Sequence, residues 1–196
     1  HGVQIGGISN VNGNNLAGLS VSGLVNITGN KAKGVLITGL SNIAGDNMRG
    51  LMMSGIMNIT GDKAAGVQLA GLANVTGEEY DGLMMSGLLN VVGEEMNGMQ
   101  LGLFNFASKA KGLQIGLFNY HKEDMKGLQL GLVNANPQTK VQLMVFGGNS
   151  TKINVGARFK NKLFYTILGG GTHYLDFDDK FSAALFYRAG LELPLY

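Results

Sequence analysis

The chain contains no cysteine. That excludes disulfides and thiolate sites, but leaves the compartment open, because many envelope proteins lack cysteine too. Charge is also scarce: 14% of residues are charged, against roughly a quarter in typical soluble domains. The net charge of +2 is dispersed along the chain, so no basic stripe points to nucleic acid. No apolar run approaches the roughly eighteen residues of a membrane helix. No secretory signal pattern is visible, since the chain opens at His1-Gly2 already inside a repeat. A mature segment or fragment is therefore expected, with an upstream capping element missing, as solenoid arrays usually need one.

Glycine, by contrast, is abundant, with 32 residues in 196, more than twice the ordinary share. The apolar fraction of 45% suffices for a core. The glycines are spaced regularly. A leading glycine recurs at Gly2, Gly18, Gly34, Gly50, Gly66, Gly82, Gly98, Gly112 and Gly127. A second recurs at Gly7, Gly23, Gly39, Gly55, Gly71, Gly87, Gly102, Gly116 and Gly131. Three residues after each second glycine stands an asparagine: Asn10, Asn26, Asn42, Asn58, Asn74, Asn90, Asn105, Asn119 and Asn134. A third glycine marks the first six units, from Gly13 to Gly93. Chance does not produce such a register, so the first two thirds of the chain is a tandem array.

Within a unit, aliphatic residues follow the leading glycine (Leu19, Val35), recur two positions later (Val21, Ile37), and follow the second glycine (Leu24, Leu40) and the asparagine (Ile27, Ile43). Short alternations broken by glycine predict strands of three to five residues. Charges before residue 135 fall between an asparagine and the next leading glycine, as in Asp62-Lys63, Glu78-Glu79 and Lys122-Glu123-Asp124. Those stretches are expected to be solvent-facing turns.

Two architectures fit. In a β-solenoid each unit is one coil, equivalent apolar residues stack inward at about 4.8 Å per coil, and nine coils make a rod of roughly 40 Å. In an up-and-down outer-membrane-type barrel each unit is one strand of about ten residues plus a turn. Odd and even units differ (Val3, Val35 and Val67 against Leu19, Leu51 and Leu83), which up- and down-strands would produce and duplication of a two-coil piece would produce equally. Units seven to nine shorten by one residue between their glycines: Gly98 to Gly102 is four apart where Gly82 to Gly87 is five. In a continuous strand that deletion flips every later side chain to the other face, yet Leu103-Phe104-Asn105 and Leu117-Phe118-Asn119 keep the signature. A corner at the second glycine absorbs the change, and glycine suits a corner because it tolerates positive φ. Aromatic girdles are also missing, since Tyr80 is the only aromatic before residue 104. The expected fold is all-β: a β-solenoid of about nine coils of 14–16 residues over 1–135, with the barrel as the alternative. Its nine asparagines are expected to form a ladder, amides bonding one another or turn backbone. A row of ligand-binding amides is the functional alternative.

After Asn136-Pro137 the pattern changes, and ten of the fifteen aromatics follow. Four amphipathic strands are expected, near 140–148, 152–160, 162–175 and 180–193, with a tight turn at Asn161 and a polar loop from Asp176 to Lys180. The segment 136–196 thus reads as an antiparallel sheet, a cap on the array or the start of a barrel.

The units Gly112–Asn119 (GLQIGLFN) and Gly127–Asn134 (GLQLGLVN), with the tail motifs at Phe164–Gly171 and Tyr187–Pro194, resemble the surface-repeat proteins of Gram-negative bacterial envelopes. The resemblance implies an exported protein of the cell surface or outer membrane, of mostly unassigned function, and supplies no catalytic residues.

Reactive constellations are missing from the pattern. His1, His121 and His173 are expected at a terminus, a turn and a strand end, unsuited to one metal site. Asp176, Asp178 and Asp179 lack EF-type spacing. Gly169-Gly170-Gly171 lacks the Lys-Ser/Thr of a phosphate loop. No Ser–His–acid order or carboxylate pair stands out, and Met52, Met53, Met84 and Met85 suit apolar packing. No catalytic residue, cofactor or metal is assigned. The expected function is a non-enzymatic envelope scaffold whose partner is another envelope protein or a surface ligand. Membrane association and oligomeric state stay open. A transmembrane pore or anchor is the alternative. A glycan- or ice-binding face is a third reading, resting on aligned Ser22, Thr38, Ser54 and Ser86 and on Thr28, Thr60 and Thr76, interrupted by Ala44, Ala70 and Val92.

Overall fold

A computed structural model describes residues 2–148, 151–161, 164–172 and 183–192. The chain forms two compact units, His1–Gly131 and Leu132–Tyr196. Among the described residues there is no helix.

The first unit is a parallel β-solenoid of about eight turns. Each early turn contributes one short strand and one long strand. The short strands, such as Val25–Thr28, Ser41–Ala44, Met57–Thr60 and Ala73–Thr76, stack on one another. The long strands, such as Leu16–Ser22, Ala32–Thr38, Met48–Ser54 and Ala64–Ala70, form the second stack. Every pairing is parallel and joins equivalent positions one repeat apart, Gly18 to Gly34 and Asn26 to Asn42 among them. An up-and-down barrel would need antiparallel neighbours, and the array has none among the described residues. Leu89–Leu101 and Phe104–Ile115 run unbroken from the short-strand stack into the long-strand stack.

The shortened units behave as a corner permits. Where one turn passes through Ser86-Gly87-Leu88, the next uses Gly102-Leu103, and Asn90 still pairs with Asn105. A further shift between Val92 and Glu95 takes up the loss of the third glycine at the other corner.

The inside of the coil differs from the aliphatic stacking that the sequence pattern suggests. Residues directly following the leading glycines, and those two positions later, face outward, as do those following the asparagines. Inward go the residues between them: Leu36, Met52, Gln68, Met84, Gln100 and Gln114 in one row, and Ala32, Met48, Ala64, Tyr80, Met96 and Ala110 in another. Thr28, Ala44, Thr60, Thr76 and Val92 fill a third. The reason lies in strand alternation: once the asparagines point inward, both flanking residues must point outward. The amides win the interior because they satisfy one another coil to coil, which removes most of the cost of burying them. The aliphatic rows are instead half-covered by their neighbours along the axis.

Two kinds of glycine also differ in use. The left-handed φ belongs to the leading glycines, such as Gly34 at +130°, inside the long strands and not at the corners. A Cβ at Gly34 would also lie 2.0 Å from the Gly18 carbonyl oxygen of the preceding turn. The corner glycines have no left-handed φ; they permit close approach, since a Cβ at Gly39 would meet the Gly23 oxygen at 2.2 Å.

The second unit carries a four-stranded antiparallel sheet in chain order: Lys140–Phe146, Ile153–Asn161, Phe164–Thr172 and Ala183–Leu191. Gly169, Gly170 and Gly171 are strand residues, and Phe186 packs over Gly169, where a Cβ would stand 2.3 Å from its ring. Glu192 pairs with Lys160 at 2.8 Å and with Arg158. Those two cations hold its carboxyl below the usual range, the Lys160 hydrogen bond most of all. The expected loop from Asp176 to Lys180, with its three aspartates, lies outside the described residues, as do His1 and His173.

Candidate functional site: an asparagine ladder and a charge-lined groove

The strand alternation that turns the asparagines inward brings eight of them into a single line. From Asn10 to Asn119, each side-chain Nδ2 donates to the Oδ1 of the next, at 2.9–3.1 Å. The second N–H of each amide donates to a main-chain carbonyl on the following turn: Asn42 to Met53 and Asn58 to Leu69 at 2.8 Å, Asn74 to Met85 at 2.7 Å. That carbonyl belongs to the next-to-last residue of the long strand, just before the corner, so the ladder ties each short strand to the end of the following long one. The interior members, Asn42 to Asn119, are fully buried. Asn134 lies on the short strand Val133–Ala135 of the second unit.

The corner glycines Gly7, Gly23, Gly39, Gly55, Gly71, Gly87, Gly102, Gly116 and Gly131 stand at the turn preceding each asparagine, two residues before the short strand begins in most turns. In the shortened turns, a Cβ at Gly102 or Gly116 would meet the ladder amide of Asn90 or Asn105 at 2.6 or 2.7 Å. Glycine there lets the corner close against the ladder.

A second polar line escaped the sequence reading. Gln129 donates to Gln114 at 2.6 Å and Gln114 to Gln100 at 2.7 Å. The signal was present, since these glutamines share one position of the repeat with Gln68, Met52 and Met84. Tyr80 is the other interior feature unread from sequence. Its hydroxyl lies 2.5 Å from the Leu83 carbonyl and 3.0 Å from that of Gly66. Burial pushes its pKa well above the ordinary 10.0. His121, expected in a turn, occupies the inward row of Thr28 and Ala107 and is buried.

The hydroxyl rows proposed for a glycan or ice surface point the same way. Ser22, Thr38, Ser86, Thr28, Thr60 and Thr76 are all buried, and Ser54 is half-buried with its hydroxyl oxygen enclosed. They line the interior and present no flat surface.

What the exterior offers is charge along one corner. A groove of about 550 Å³ runs across successive turns there. One wall is Lys31, Asn47, Lys63, Glu79 and Glu95; the other is Lys33, Arg49, Ala65, Asp81 and Asn97; Ala32, Met48, Ala64 and Tyr80 lie between them. The two walls follow from alternation, because residues on either side of an inward position both face out. The groove changes sign along its length. Its early turns carry Lys31, Lys33 and Arg49, and its later turns carry Glu79, Asp81 and Glu95. At the change of sign, Lys63 bridges to Glu79 at 2.9 Å, and that carboxylate, chiefly through the hydrogen bond, raises the lysine pKa. Lys111 pairs with Glu95 at 2.7 Å and holds its carboxyl below the usual range. Among the described residues, Lys31, Lys33 and Arg49 make no salt bridge. No group of three or more His, Asp or Glu is placed to hold a metal ion among them either.

No family model, curated protein or solved structure matches the chain.

Proposed function

We propose that the chain is a non-enzymatic scaffold of the bacterial cell envelope or surface, and that the charged groove is where it takes its partner, another envelope protein or a surface ligand. The observation that carries the reading is the groove's graded charge on a fixed backbone. Hydrogen bonds lock each turn to the next, so cations at one end and carboxylates at the other are held in a set order and spacing. Solenoids commonly use such axial surfaces to bind extended ligands, and complementary charge along a groove sets orientation and encounter rate. An extended segment with its acidic end over Lys31, Lys33 and Arg49 fits this order. The envelope assignment draws on the resemblance of Gly112–Asn119 and Gly127–Asn134 to envelope surface repeats.

The test is saturable binding of the purified chain to outer-membrane and cell-surface fractions. Wild-type protein is expected to bind in a salt-sensitive manner. The double change Lys33→Glu and Arg49→Glu is expected to lower affinity at least tenfold with an unaltered circular dichroism spectrum. Binding that survives the charge reversal unchanged, or no saturable binding by wild type, would overturn the reading.

A further inference from the structure

We infer that the corner opposite the charged groove is a lipid-seating ridge, which rests in the outer part of a phospholipid acyl layer while the charged corner stays in water. This inference stands whether or not the groove takes a partner.

At this second corner one aliphatic residue follows the corner glycine in every turn. Leu24, Leu40, Ile56, Leu72, Leu88, Leu103 and Leu117 form the row, each exposed, with Leu72 at 51%. Six steps of about 4.8 Å make it roughly 29 Å long. Outward rows flank it on both slopes, Ile37 and Met53 on one and Ile43 and Ile59 on the other. No Asp, Glu, Lys or Arg occurs between a leading glycine and the residue two past its asparagine, from Gly18 to His121. Every charge of the array is thus on the far corner. Such segregation is what an interfacial element needs: an apolar face that sinks and a charged face that stays hydrated. Continuous exposed aliphatic surface of this extent marks an interaction site.

Lipid is favoured over protein by two observations. The first concerns the backbone. A chain reversal facing hydrocarbon ordinarily leaves polar groups without partners, a cost of several kcal/mol each that keeps corners out of membranes. Here the corner itself is hydrogen-bonded along the axis. Leu40 N donates to Leu24 O, Ile56 N to Leu40 O, Leu72 N to Ile56 O and Leu88 N to Leu72 O, all at 2.9–3.1 Å. The carbonyl just before the corner is taken by the ladder asparagine, as in Asn58 to Leu69. The ridge is therefore dry-tolerant in its main chain as well as its side chains. The second concerns shape. A reversal between two strands is convex, and the same aliphatic group repeats along it with nothing polar to fix a register. Two such ridges would meet along a line and bury little of the area that a stable protein interface needs. Fluid acyl chains conform to a convex ridge without that loss.

The second unit, taken by itself, shows the same chemistry. On one face of its sheet Val141, Leu143, Val145, Val155, Leu185 and Tyr187 are exposed, Leu143 at 85% and Leu185 at 93%. That face also carries no charge among the described residues.

The absence of cysteine makes the experiment site-specific. Leu72→Cys on the ridge and Glu78→Cys on the charged corner are each labelled with an environment-sensitive NBD probe in the full chain, then mixed with phosphatidylcholine vesicles in high salt. The probe at 72 is expected to shift to the blue, gain several-fold in intensity and be quenched by lipids bearing a shallow acyl nitroxide. The probe at 78 is expected to stay unchanged. Adding Leu40→Glu and Leu88→Glu to the ridge-labelled protein should abolish the response with an unaltered circular dichroism spectrum. A probe at 72 that ignores vesicles would overturn the inference. So would a blue shift that grows with protein concentration and needs no lipid, which would assign the ridge to a second copy of the chain.

Discussion

Asn58 Nδ2 lies 2.9 Å from Asn74 Oδ1, and Asn58 Oδ1 accepts from Asn42 at the same distance. With its bonds to the Leu69 carbonyl at 2.8 Å and the Met52 carbonyl at 3.4 Å, one buried amide serves four partners on its own and both neighbouring turns. Replacing Asn58 with Leu removes its side of all four inside the coil. A buried group left unpaired costs about 1–3 kcal/mol, so a loss of roughly 3–5 kcal/mol is expected in chemical denaturation. Asn10→Leu, at the first turn, has one ladder neighbour only and should cost clearly less. Equal losses at the two positions would remove the ladder from the account of stability.

Glycine requirements are expected to differ by row. Gly34→Ala combines a φ of +130° with a Cβ 2.0 Å from a backbone oxygen, so neither rotation nor a flexible neighbour relieves it. A loss of at least about 3 kcal/mol is expected. Gly13 has nothing within 4 Å of a built Cβ and no left-handed φ, and Gly13→Ala should leave the denaturation midpoint within error of wild type.

Tyr80 gives the array an alkaline weakness. Its folded pKa is raised above the ordinary 10.0 by burial, so the folded state holds the phenolic proton more tightly than the unfolded one. That contribution is complete below about pH 10 and is lost as pH rises toward the raised folded value. Wild type should therefore lose stability more steeply above about pH 10 than Tyr80→Phe does. The variant should start lower, by about 1–2 kcal/mol at neutral pH, for want of the hydroxyl's hydrogen bond. Parallel pH profiles for the two proteins would contradict the assignment.

The Lys63–Glu79 pair is half-exposed at both ends, and exposed pairs contribute little to stability. Lys63→Ala is expected to leave the melting temperature unchanged while altering the salt dependence of partner binding, because the groove changes sign at this residue. A marked drop in melting temperature would instead make the pair a structural clamp.

Much of this architecture is legible in the residues themselves. Gly98 to Gly102, one residue shorter than Gly82 to Gly87, locates the corner, and the persistence of asparagine on both sides locates the ladder. The inside and outside of the strands were harder to read. Alternation says that Val35 and Leu36 face opposite ways; it does not say which is enclosed, and hydropathy points the wrong way because Val35, Ile37 and Ile43 recur more regularly than the mixed Ser, Leu, Met and Gln row that fills the core. What decides is the in-register amide chain, a cooperative property that no single turn displays. The groove was hidden for a related reason. Lys33, Arg49, Ala65, Asp81 and Asn97 look like unrelated turn residues until parallel stacking sets them side by side.

The ladder also has a direction. Since the carbonyls of Val21, Ile37, Met53 and their equivalents can only accept, each amide must turn its nitrogen toward the following repeat, and no member can flip alone without setting acceptor against acceptor. The side-chain dipoles are therefore aligned head to tail from Asn10 to Asn119. The interior of the array is electrically vectorial along its axis. Any turn that belongs to the line must present its amide oxygen to the turn before it and its nitrogen to the turn after it, a one-way rule written in the core.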